Sequence, residues 1–523
     1  MTRRYLIGLD YGTESARGVL VDADSGEQVA SHAVPYRHGV MTRLPEGPVL
    51  PPLWALQNAD DYTEAAQAIL STLGRDRQIE GIGLGFTASS PLPATAEGVP
   101  LSRLHPQDPH AYVKLWKHGA AQAQAESVNA RGGAFLDNFG GKLSAEWLLA
   151  KAAQLAQEAP QLWQETGRFI EAGDWLVWQL TGEETRSLGF AAYKAQYADG
   201  AGYPDGIVPG LADRVKPPLR VGSSAGGLSA AWRERTGIRG QAAVAVAVID
   251  SHVVLPAVGG VSDGCLVGAL GTSAVYLMLG REFRPLPRGI EGVAFDGSVR
   301  DLWCYESGQA GFGDTLAWFV KTFPRAADPA ENFRLYNEEA AALAPGANHL
   351  LALDWWSGNR VPLADSGLSG LILGLTTGTT AAGIYRALLE SLAYGARSIQ
   401  DLFIAGGFSI DRLILSSGLA RNNPLLVQIM ADVFAREVEV PEIDNPTAVG
   451  AAIHGAVAAG VVAGYPEGGA RFGARAFRTY RPGGQAASVY AELYRSYAAL
   501  AGDASLRTAM HALNRIGTIQ QLP

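Results

Sequence analysis

The apolar positions near the start of the chain form two short runs that flank a turn. Residues 5–9 and residues 16–21 are mostly apolar, and Gly12 and Thr13 lie between the two runs. Runs of this length, joined by a few turn-forming residues, are typical of a β-hairpin. The first run leads into a carboxylate, Asp10, so the pattern predicts a hairpin that carries an acidic side chain to its turn.

A second hairpin of the same plan follows about half a chain length later. Residues 266–270 and 275–279 are apolar, and the turn between them is Gly271-Thr272-Ser273. The separation is too long for the repeat of a solenoid. We therefore predict an internal duplication, with one hairpin at the start of each of two related domains.

Between and after the hairpins, the apolar positions alternate between strand and helix spacing. Residues 79–86 are typical of a buried strand, and residues 144–157 show helical spacing with Ser144 as the N-cap. A long helix is predicted over residues 384–403, and Asn423 followed by proline is typical of the start of another helix. Strands and helices that alternate in both halves predict an α/β protein with two related domains.

The domain boundary is expected near residue 255, before a segment that contains proline and several glycines. The N-terminal domain would comprise residues 1–255, and the C-terminal domain would comprise residues 256–505. Residues 506–523 are expected to form a peripheral tail. A chain of 523 residues is long enough for such a division.

Composition and charge narrow the class of protein. Apolar residues make up 47% and charged residues 18%, as in soluble globular proteins, and the net charge of −9 argues against a nucleic-acid or anionic-membrane partner. Cys265 and Cys304 are the only cysteines and lack the spacing of a metal site or disulfide framework, which is typical of the cytoplasm. The least polar stretch, residues 450–464, is shorter than the ~20 apolar residues that cross a membrane. We predict a soluble, cytoplasmic protein.

The two turns carry the clearest chemistry. A turn that contains glycine lets backbone N–H groups approach an anion, and a threonine hydroxyl adds a further donor. Gly12 with Thr13, and Gly271 with Thr272, therefore predict two turns that bind a polyphosphate. The carboxylate of Asp10 repels phosphate but can hold Mg²⁺ or its water shell. The alternative is that Asp10 and Gly12 serve only to form the turn.

Two other glycine motifs do not predict nucleotide binding. Residues 81–86, GIGLGF, end in phenylalanine where a dinucleotide fingerprint requires a third glycine. Residues 140–144, GGKLS, have leucine where a P-loop requires serine or threonine after the lysine. Neither segment enters the predicted site.

Taken together, the two turns and their surroundings resemble motifs of the FGGY family of carbohydrate kinases, in the actin–hexokinase–Hsp70 superfamily of ribonuclease H-like domains. The similar motifs are Asp10-Tyr11-Gly12-Thr13 with Ser15 and Arg17, Gly271-Thr272-Ser273, and the loop at Gly418. Residues 370–395 are similar to the second signature of the family, with Glu390 in place. The resemblance implies two related α/β domains with ATP and the sugar bound in a cleft between them.

Longer segments are similar to the ribulokinases within this family. These segments are residues 109–122, 140–151, 191–197, 250–260 and 305–319, and the similarity extends from about residue 5 to about residue 500. It implies a kinase that uses ATP and Mg²⁺ to phosphorylate the 5-hydroxyl of L-ribulose. The products would be L-ribulose 5-phosphate and ADP, in arabinose breakdown.

The resemblance also implies roles for individual residues. Asp250 matches the catalytic base, and the implied sugar-binding residues are Ala88, Lys194, Asp250 and Glu306. The implied ATP-binding residues are Gly12, Thr13, Ser15, Arg17, Gly271, Thr272, Ser273, Gly418 and Asn422, and Asp10 would hold Mg²⁺. The chain departs from the family pattern at Ala247 and Ser417, where glycine is usual, and at Gly383, where a polar residue is usual.

Several interpretations stay open. The acceptor can also be D-ribulose, xylulose or ribitol, and the alternative outside the enzymes is a non-catalytic ATP clamp or sugar sensor. Taken alone, Lys194 and Glu306 are typical of solvated or ion-paired surface residues. Trp116 and His118 fit either the wall of a sugar site or ordinary packing, and the small residues 448–452 fit either an adenine contact or close helix packing. The oligomeric state is open, a homodimer included.

Overall fold

The structure is a computed structural model that describes residues 3–45, 47–285 and 290–519. Its strands are β1 (Arg4–Tyr11), β2 (Ser15–Asp22), β3 (Gln28–Pro35), β4 (Leu56–Gln57), β5 (Gln78–Phe86), β6 (Pro91–Ala94), β7 (Val113–Lys114), β8 (Arg168–Glu171), β9 (Ser224–Gly227), β10 (Ala243–Ala245), β11 (Val248–Ile249), β12 (Cys265–Leu270), β13 (Ala274–Gly280), β14 (Gly292–Phe295), β15 (Trp303–Gln309), β16 (Leu351–Leu353), β17 (Leu371–Leu373), β18 (Arg412–Ser416), β19 (Val438–Pro441) and β20 (Phe477–Tyr480). Its α-helices are α1 (Ala59–Gly74), α2 (Gln122–Arg131), α3 (Leu148–Glu158), α4 (Pro160–Glu165), α5 (Ala172–Thr181), α6 (Leu188–Ala195), α7 (Ala230–Thr236), α8 (Asp250–Val253), α9 (Gly313–Thr322), α10 (Pro329–Ala341), α11 (Ala381–Ala405), α12 (Gly418–Asn422), α13 (Pro424–Phe434), α14 (Pro446–Ala458), α15 (Tyr465–Phe472), α16 (Gly484–Gly502) and α17 (Ala504–Ile519).

The chain divides into two compact units, and each unit is discontinuous in sequence. The first unit comprises the residues up to Asp263 together with Gly292–Cys304 and Ile443–Arg475. The second unit comprises Gly264–Glu291, Tyr305–Glu442 and the residues from Ala476 onward. Helices α14 and α15, near the end of the chain, therefore belong to the first unit.

The first unit is built on a mixed sheet. Its strands follow the order β3-β2-β1-β5-β10-β9, and β11 also pairs with β5. Strands β1 and β2 form an antiparallel hairpin, while β1, β10 and β11 run parallel to β5. The central strands β1 and β5 are buried over most of their length because both faces of the sheet are covered. The edge strand β3 alternates between half-buried and exposed residues.

The second unit repeats this plan and confirms the internal duplication. Its strands follow the order β15-β13-β12-β18-β19-β20. Again a first antiparallel hairpin, β12 with β13, lies beside a parallel partner, β18, and β18 is followed by a second parallel partner, β19. In both units the last strand in this order is antiparallel to its neighbour: β9 in the first unit and β20 in the second. The four strands predicted around the two turns are confirmed.

All three predicted helices are present, and one of the two predicted N-caps is confirmed. Helix α11 covers the predicted residues 384–403, and the side chain of Asn423 caps α13 by accepting a hydrogen bond from the Leu426 N–H at 3.0 Å. The N-cap predicted at Ser144 is wrong, because α3 begins at Leu148. The hydroxyl of Ser144 accepts from the Glu146 N–H at 3.2 Å and forms a turn ahead of the helix. Within the described residues, no helix combines the length and the apolar content needed to cross a bilayer.

Helix α14 packs directly against the backbone of the first sheet. A Cβ added to Gly83 of β5 would lie 1.8 Å from the carbonyl oxygen of Ala451, and one added to Gly8 of β1 would lie 1.8 Å from that of Ala448. On another side of the helix, a Cβ added to Gly450 would lie 1.9 Å from the carbonyl oxygen of Val253, the last residue of α8. Close helix packing therefore accounts for the small residues 448–452, and it also accounts for the glycines of GIGLGF.

We expect Gly83→Ala to destabilise the protein by about 3 kcal/mol, the upper end of the range for overpacked interiors, because the added methyl group meets backbone atoms that cannot rotate away. The measurement is the midpoint of thermal unfolding. Gly484→Ala is the matched control, since a Cβ at Gly484 has no neighbouring atom within 4 Å. Equal midpoints for the two variants would show that α14 moves off the sheet at little cost.

Candidate active site

Three parallel strands of the first unit end at the same edge of their sheet. Tyr11, the last residue of β1, and Ile249, the last residue of β11, both pair with Phe86 at the end of β5. Because neighbouring strands lie about 4.8 Å apart, the three chain ends lie within about 10 Å. The residues that follow are the turn that begins at Gly12, a loop that begins at Thr87, and Asp250. Residues predicted from separate motifs are thus brought to one edge.

The turn after β1 is held by side chains from elsewhere in the first unit. The Gly12 N–H donates to the Ser15 carbonyl at 3.1 Å, and the Gln57 side-chain amide donates to the Thr13 carbonyl at 2.5 Å. The indole N–H of Trp116 donates to the Thr13 hydroxyl at 3.1 Å. That hydroxyl therefore keeps its own proton for another acceptor. The sequence left Trp116 open between the wall of a sugar site and ordinary packing. It did not predict that Gln57 would hold this turn.

Asp10 lies one residue before the end of β1 with its side chain half-buried. Burial raises the pKa of Asp10 to about 6, and the positive charge of Arg17 lowers it. Arg17 lies directly opposite Asp10 in the hairpin, and Ser15 lies at the start of the same strand, β2. A partly desolvated carboxylate of this kind gains stability from a cation, because a positive charge favours its ionised form.

The loop of residues 87–90, after β5, is fixed by a buried carboxylate. The Ser89 hydroxyl donates to one carboxylate oxygen of Glu171 at 2.7 Å, and the Ser90 N–H donates to the other at 2.7 Å. Ala88 precedes these two serines and remains half-buried. The sequence placed Ala88 in the site but did not indicate Glu171, which lies on β8, because nothing in the spacing of the two segments shows that they meet.

Asp250 is the first residue of α8 and is half-buried. Its carboxylate accepts a hydrogen bond from the Ser251 N–H at 2.7 Å. Two residues later, the buried ring of His252 lies 2.6 Å from the Ser298 hydroxyl through Nδ1 and packs edge-on against Tyr193 at 4.5 Å. The segment that carries Asp250 is thus packed against the segment that carries the next predicted residue.

Lys194 follows Tyr193 near the end of α6 and is buried. The Tyr193 hydroxyl donates to the Cys304 carbonyl at 2.6 Å, which fixes this end of the helix. At the other end, Ser187 caps α6, and its N–H donates to the Asp174 carboxylate at 2.9 Å. The surface role that the composition alone suggested for Lys194 is therefore excluded by its burial.

In the second unit, two loops share the equivalent edge of the sheet. Ala269, one residue before the end of β12, pairs with Ser416, the last residue of β18. The turn Gly271-Thr272-Ser273 and the loop at Gly418 therefore start side by side. The carbonyls of Gly271 and Thr272 accept from the N–H groups of Gly313 and Phe312, both at 3.0 Å, which ties the turn to the start of α9. Gly271 and Thr272 are themselves exposed.

The surface around Gly418 is open. A Cβ at Gly418 would have no neighbouring atom within 4 Å, and Asn422, at the end of the same helix α12, is exposed. The departure at Ser417 costs nothing in conformation, because its φ of 170° is extended backbone that any residue adopts. The Ser417 hydroxyl instead caps α12 by accepting from the Ala420 N–H at 3.0 Å.

The other two departures are also accommodated. Ala247 is buried between β10 and β11, and it is not among the described residues with positive φ. Gly383 lies in the first turn of α11, where its N–H donates to the hydroxyl of the N-cap, Thr380, at 3.1 Å. A Cβ at Gly383 would lie 3.3 Å from that hydroxyl oxygen, so a larger residue would be crowded rather than blocked.

Two glutamates of the second unit lie in its interior. Glu306 is buried on β15, and its carbonyl accepts from the Glu291 N–H at 2.9 Å. Glu390 of α11 is buried in a network: it pairs with Arg386 at 2.8 Å and accepts hydrogen bonds from Tyr490 at 3.0 Å and Asn348 at 3.2 Å. Glu390, the signature residue, therefore stabilises helix packing.

Comparison with known proteins matches both the sequence and the fold. Residues 266–459 match the C-terminal domain of the FGGY family of carbohydrate kinases. The chain is 41% identical to a ribulokinase of Halalkalibacterium halodurans, over 96% of this chain and 95% of that protein. It is 40% identical to a ribulokinase of Geobacillus thermodenitrificans, over 96% and 94% of the two chains.

The fold is shared with a solved sugar kinase. The crystal structure of xylulose kinase from Rhodospirillum rubrum superposes with a TM-score of 0.82 at 23% identity, covering 97% of this chain and all of that one. At this identity the superposition establishes the two-domain α/β fold and leaves the substrate to other observations.

Proposed function

Because this chain belongs to the FGGY family of carbohydrate kinases, we propose that it transfers the γ-phosphoryl group of ATP to the 5-hydroxyl of L-ribulose. The products are L-ribulose 5-phosphate and ADP. The name ribulokinase, which its full-length relatives share, supports ribulose as the acceptor, and the resemblance of the sequence motifs implies the L-isomer. The structural observation that carries the chemistry is the alignment of Asp250 with the turn at Gly12 and Thr13 on one sheet edge.

In this proposal Asp250 accepts the proton of the sugar hydroxyl. An aspartate carboxylate is in general a weak base at neutral pH. It suffices because phosphoryl transfer has a loose transition state, in which positioning and charge stabilisation contribute more than complete deprotonation of the nucleophile.

Donors at each hairpin turn are assigned to phosphate groups. In the first unit these are the Thr13 hydroxyl and the side chains of Ser15 and Arg17 on β2. The Gly12 N–H is bound to the Ser15 carbonyl, so Gly12 contributes open space to the turn and not a donor. In the second unit they are the exposed turn that begins at Gly271. Turns of this kind suit phosphate, because N–H groups and hydroxyls converge without side-chain bulk.

Mg²⁺ fits the chemistry of Asp10. Among the described residues, no cluster of three histidine, cysteine or acidic side chains forms a metal site. A single carboxylate, completed by water and phosphate oxygens, is the usual way in which kinases hold this ion. When bound, Mg²⁺ neutralises charge on the phosphates. Asp10 supplies the half-buried anionic oxygen that orients it.

Two buried side chains are assigned to the sugar. An ammonium such as that of Lys194 can donate to sugar hydroxyls, and a carboxylate such as that of Glu306 can accept from them. Each residue is assigned to the sugar by the motif that contains it. The half-buried Ala88 leaves space because its side chain is small. We also expect the enzyme to act in the cytoplasm, and a homodimer stays an open expectation.

The test is ADP release with Mg-ATP and each of four acceptors, L-ribulose, D-ribulose, D-xylulose and ribitol. The expected result is the highest kcat/KM with L-ribulose. A higher kcat/KM with another acceptor would change the proposed substrate and leave the proposed kinase activity in place. ATP binding without turnover on any acceptor would overturn the proposal and favour a clamp or sensor.

We expect Gly418→Val to raise the KM for ATP by about tenfold or more, because the valine would occupy space that we assign to the nucleotide. The protein itself offers no clash, so the variant should fold normally. The matched control is Gly484→Val: Gly484 is also the first residue of a helix and also has open space around it. An unchanged KM for ATP in Gly418→Val would remove this loop from the nucleotide site.

A further inference from the structure

Lys151 is a fully buried lysine whose ammonium contacts four backbone carbonyls of the first unit. It lies on α3, and its Nζ is 2.8 Å from the Ser89 carbonyl and 2.8 Å from the Leu115 carbonyl. The carbonyls of Lys114 and Trp116 lie at 3.3 and 3.4 Å. The ammonium has three protons and no lone pair, so it can only donate, and these carbonyls are its acceptors.

Such an arrangement fixes two separate segments with one charge. A buried ammonium is costly unless its charge is compensated by hydrogen bonds, so displacing either segment leaves part of the charge unsolvated. Burial lowers the pKa of Lys151, and the negative charges of Glu171 and Glu146 raise it and favour the charged form. The resulting restraint acts on residues 87–90, which we call the acceptor loop, and on residues 114–116, which we call the Trp116 segment.

Each restrained segment reaches a group of the proposed site. Ala88 immediately precedes Ser89, whose carbonyl binds Lys151 and whose hydroxyl binds Glu171. The Trp116 segment places the indole that donates to the Thr13 hydroxyl at 3.1 Å. One ammonium is therefore connected by hydrogen bonds to the acceptor loop and, through Trp116, to the turn that begins at Gly12.

We propose that Lys151 is a positioning residue, which sets the acceptor loop and the Trp116 segment at the spacing that the sugar requires. The inference rests on the proposed function, because it assigns the acceptor loop to the sugar. It also gives a role to the last residue of the 140–151 segment, which no other part of the site explains. Lys151 does not touch the reacting atoms.

The test compares Lys151→Met and Lys151→Arg with the wild type in steady-state kinetics, with the sugar and ATP varied separately. The acceptor is whichever sugar the wild type phosphorylates. An error in the proposed substrate is therefore detected with the wild-type enzyme, before any variant is compared with it. The stability control is Tyr490→Phe, which removes a buried hydroxyl bound to Arg386 and Glu390 in the second unit.

The expected result for Lys151→Met is a rise of about tenfold or more in the KM for the sugar and a smaller rise, of about threefold, in the KM for ATP. The acceptor loop binds Lys151 directly, whereas the turn at Thr13 is reached only through Trp116. Lys151→Arg keeps donors for the carbonyls, so its KM for the sugar should lie between those of the wild type and Lys151→Met. Tyr490→Phe should lower the unfolding midpoint and leave both KM values unchanged.

Equal shifts in both KM values, or wild-type constants in a destabilised Lys151→Met, would overturn the proposal and make Lys151 a purely structural residue. If Lys151→Met does not accumulate as a folded protein, Lys151→Arg decides alone. It must then raise the KM for the sugar by about threefold, because the longer guanidinium displaces the carbonyls; an unchanged value overturns the proposal.

Discussion

Asp250→Asn is expected to lower kcat by about 10²-fold or more, because the amide cannot accept the proton of the sugar hydroxyl. The side chain keeps its size, and its amide oxygen can still accept from the Ser251 N–H, so the start of α8 should be preserved. The loss should therefore appear in kcat, with the KM for ATP within about twofold of wild type. The measurement is initial-rate ADP release at saturating sugar and ATP.

The control for this variant is Asp199→Asn, the same substitution at an exposed carboxylate of the first unit. It should keep wild-type kcat and KM values. A kcat in Asp250→Asn within about threefold of wild type would rule out proton acceptance by Asp250. A large rise in the KM for the sugar at constant kcat would assign it to sugar binding alone.

Glu390→Ala is expected to destabilise the protein by about 3–5 kcal/mol, the cost of breaking a buried ion pair. The substitution leaves the Arg386 guanidinium buried without its carboxylate, and it removes the acceptor for Tyr490 and Asn348. These contacts join α11 to α16, so the second unit should be affected first. The measurement is the unfolding midpoint in heat and in urea.

Glu390→Gln is the control, since it keeps an oxygen acceptor and loses only the charge. Its midpoint should fall between those of the wild type and Glu390→Ala. Both variants, assayed well below their midpoints, should keep the wild-type KM for ATP. A lost activity at an unchanged midpoint would contradict the structural role of Glu390 and place the signature residue in the site.

The elements that the sequence predicted best are those whose signal is local. The two hairpins, the buried strand of residues 79–86 and the cap at Asn423 each depend on residues within one short segment. The error at Ser144 is local too: its hydroxyl formed a turn instead of a cap because it bound the Glu146 N–H. The alternation of strands and helices predicted the α/β class, and the resemblance to a family supplied the type of domain and most of the proposed site.

The groups that the sequence did not indicate are those defined by contact between distant segments. Lys151 meets Ser89, 62 residues away in sequence, and Glu171 meets Ser90, 81 residues away. The pattern of residues within each segment does not indicate that it contacts a segment so distant in sequence. The small residues of α14 were ambiguous for the same reason, because the strand that faces them is known only from the fold.

The position of α14 has a consequence for how the protein is made. The helix covers strands β1 and β5, yet the ribosome synthesises it more than 350 residues after β5. Chains are synthesised at about 5–20 residues per second, so the glycine-lined face of these strands stays uncovered for tens of seconds. During that time it is a surface that a chaperone can bind. A chimaera that takes its second unit from another protein must therefore keep Pro446–Ala458 from the protein that supplies its first unit. Without that segment, the sheet of the first unit has no matching helix to cover it.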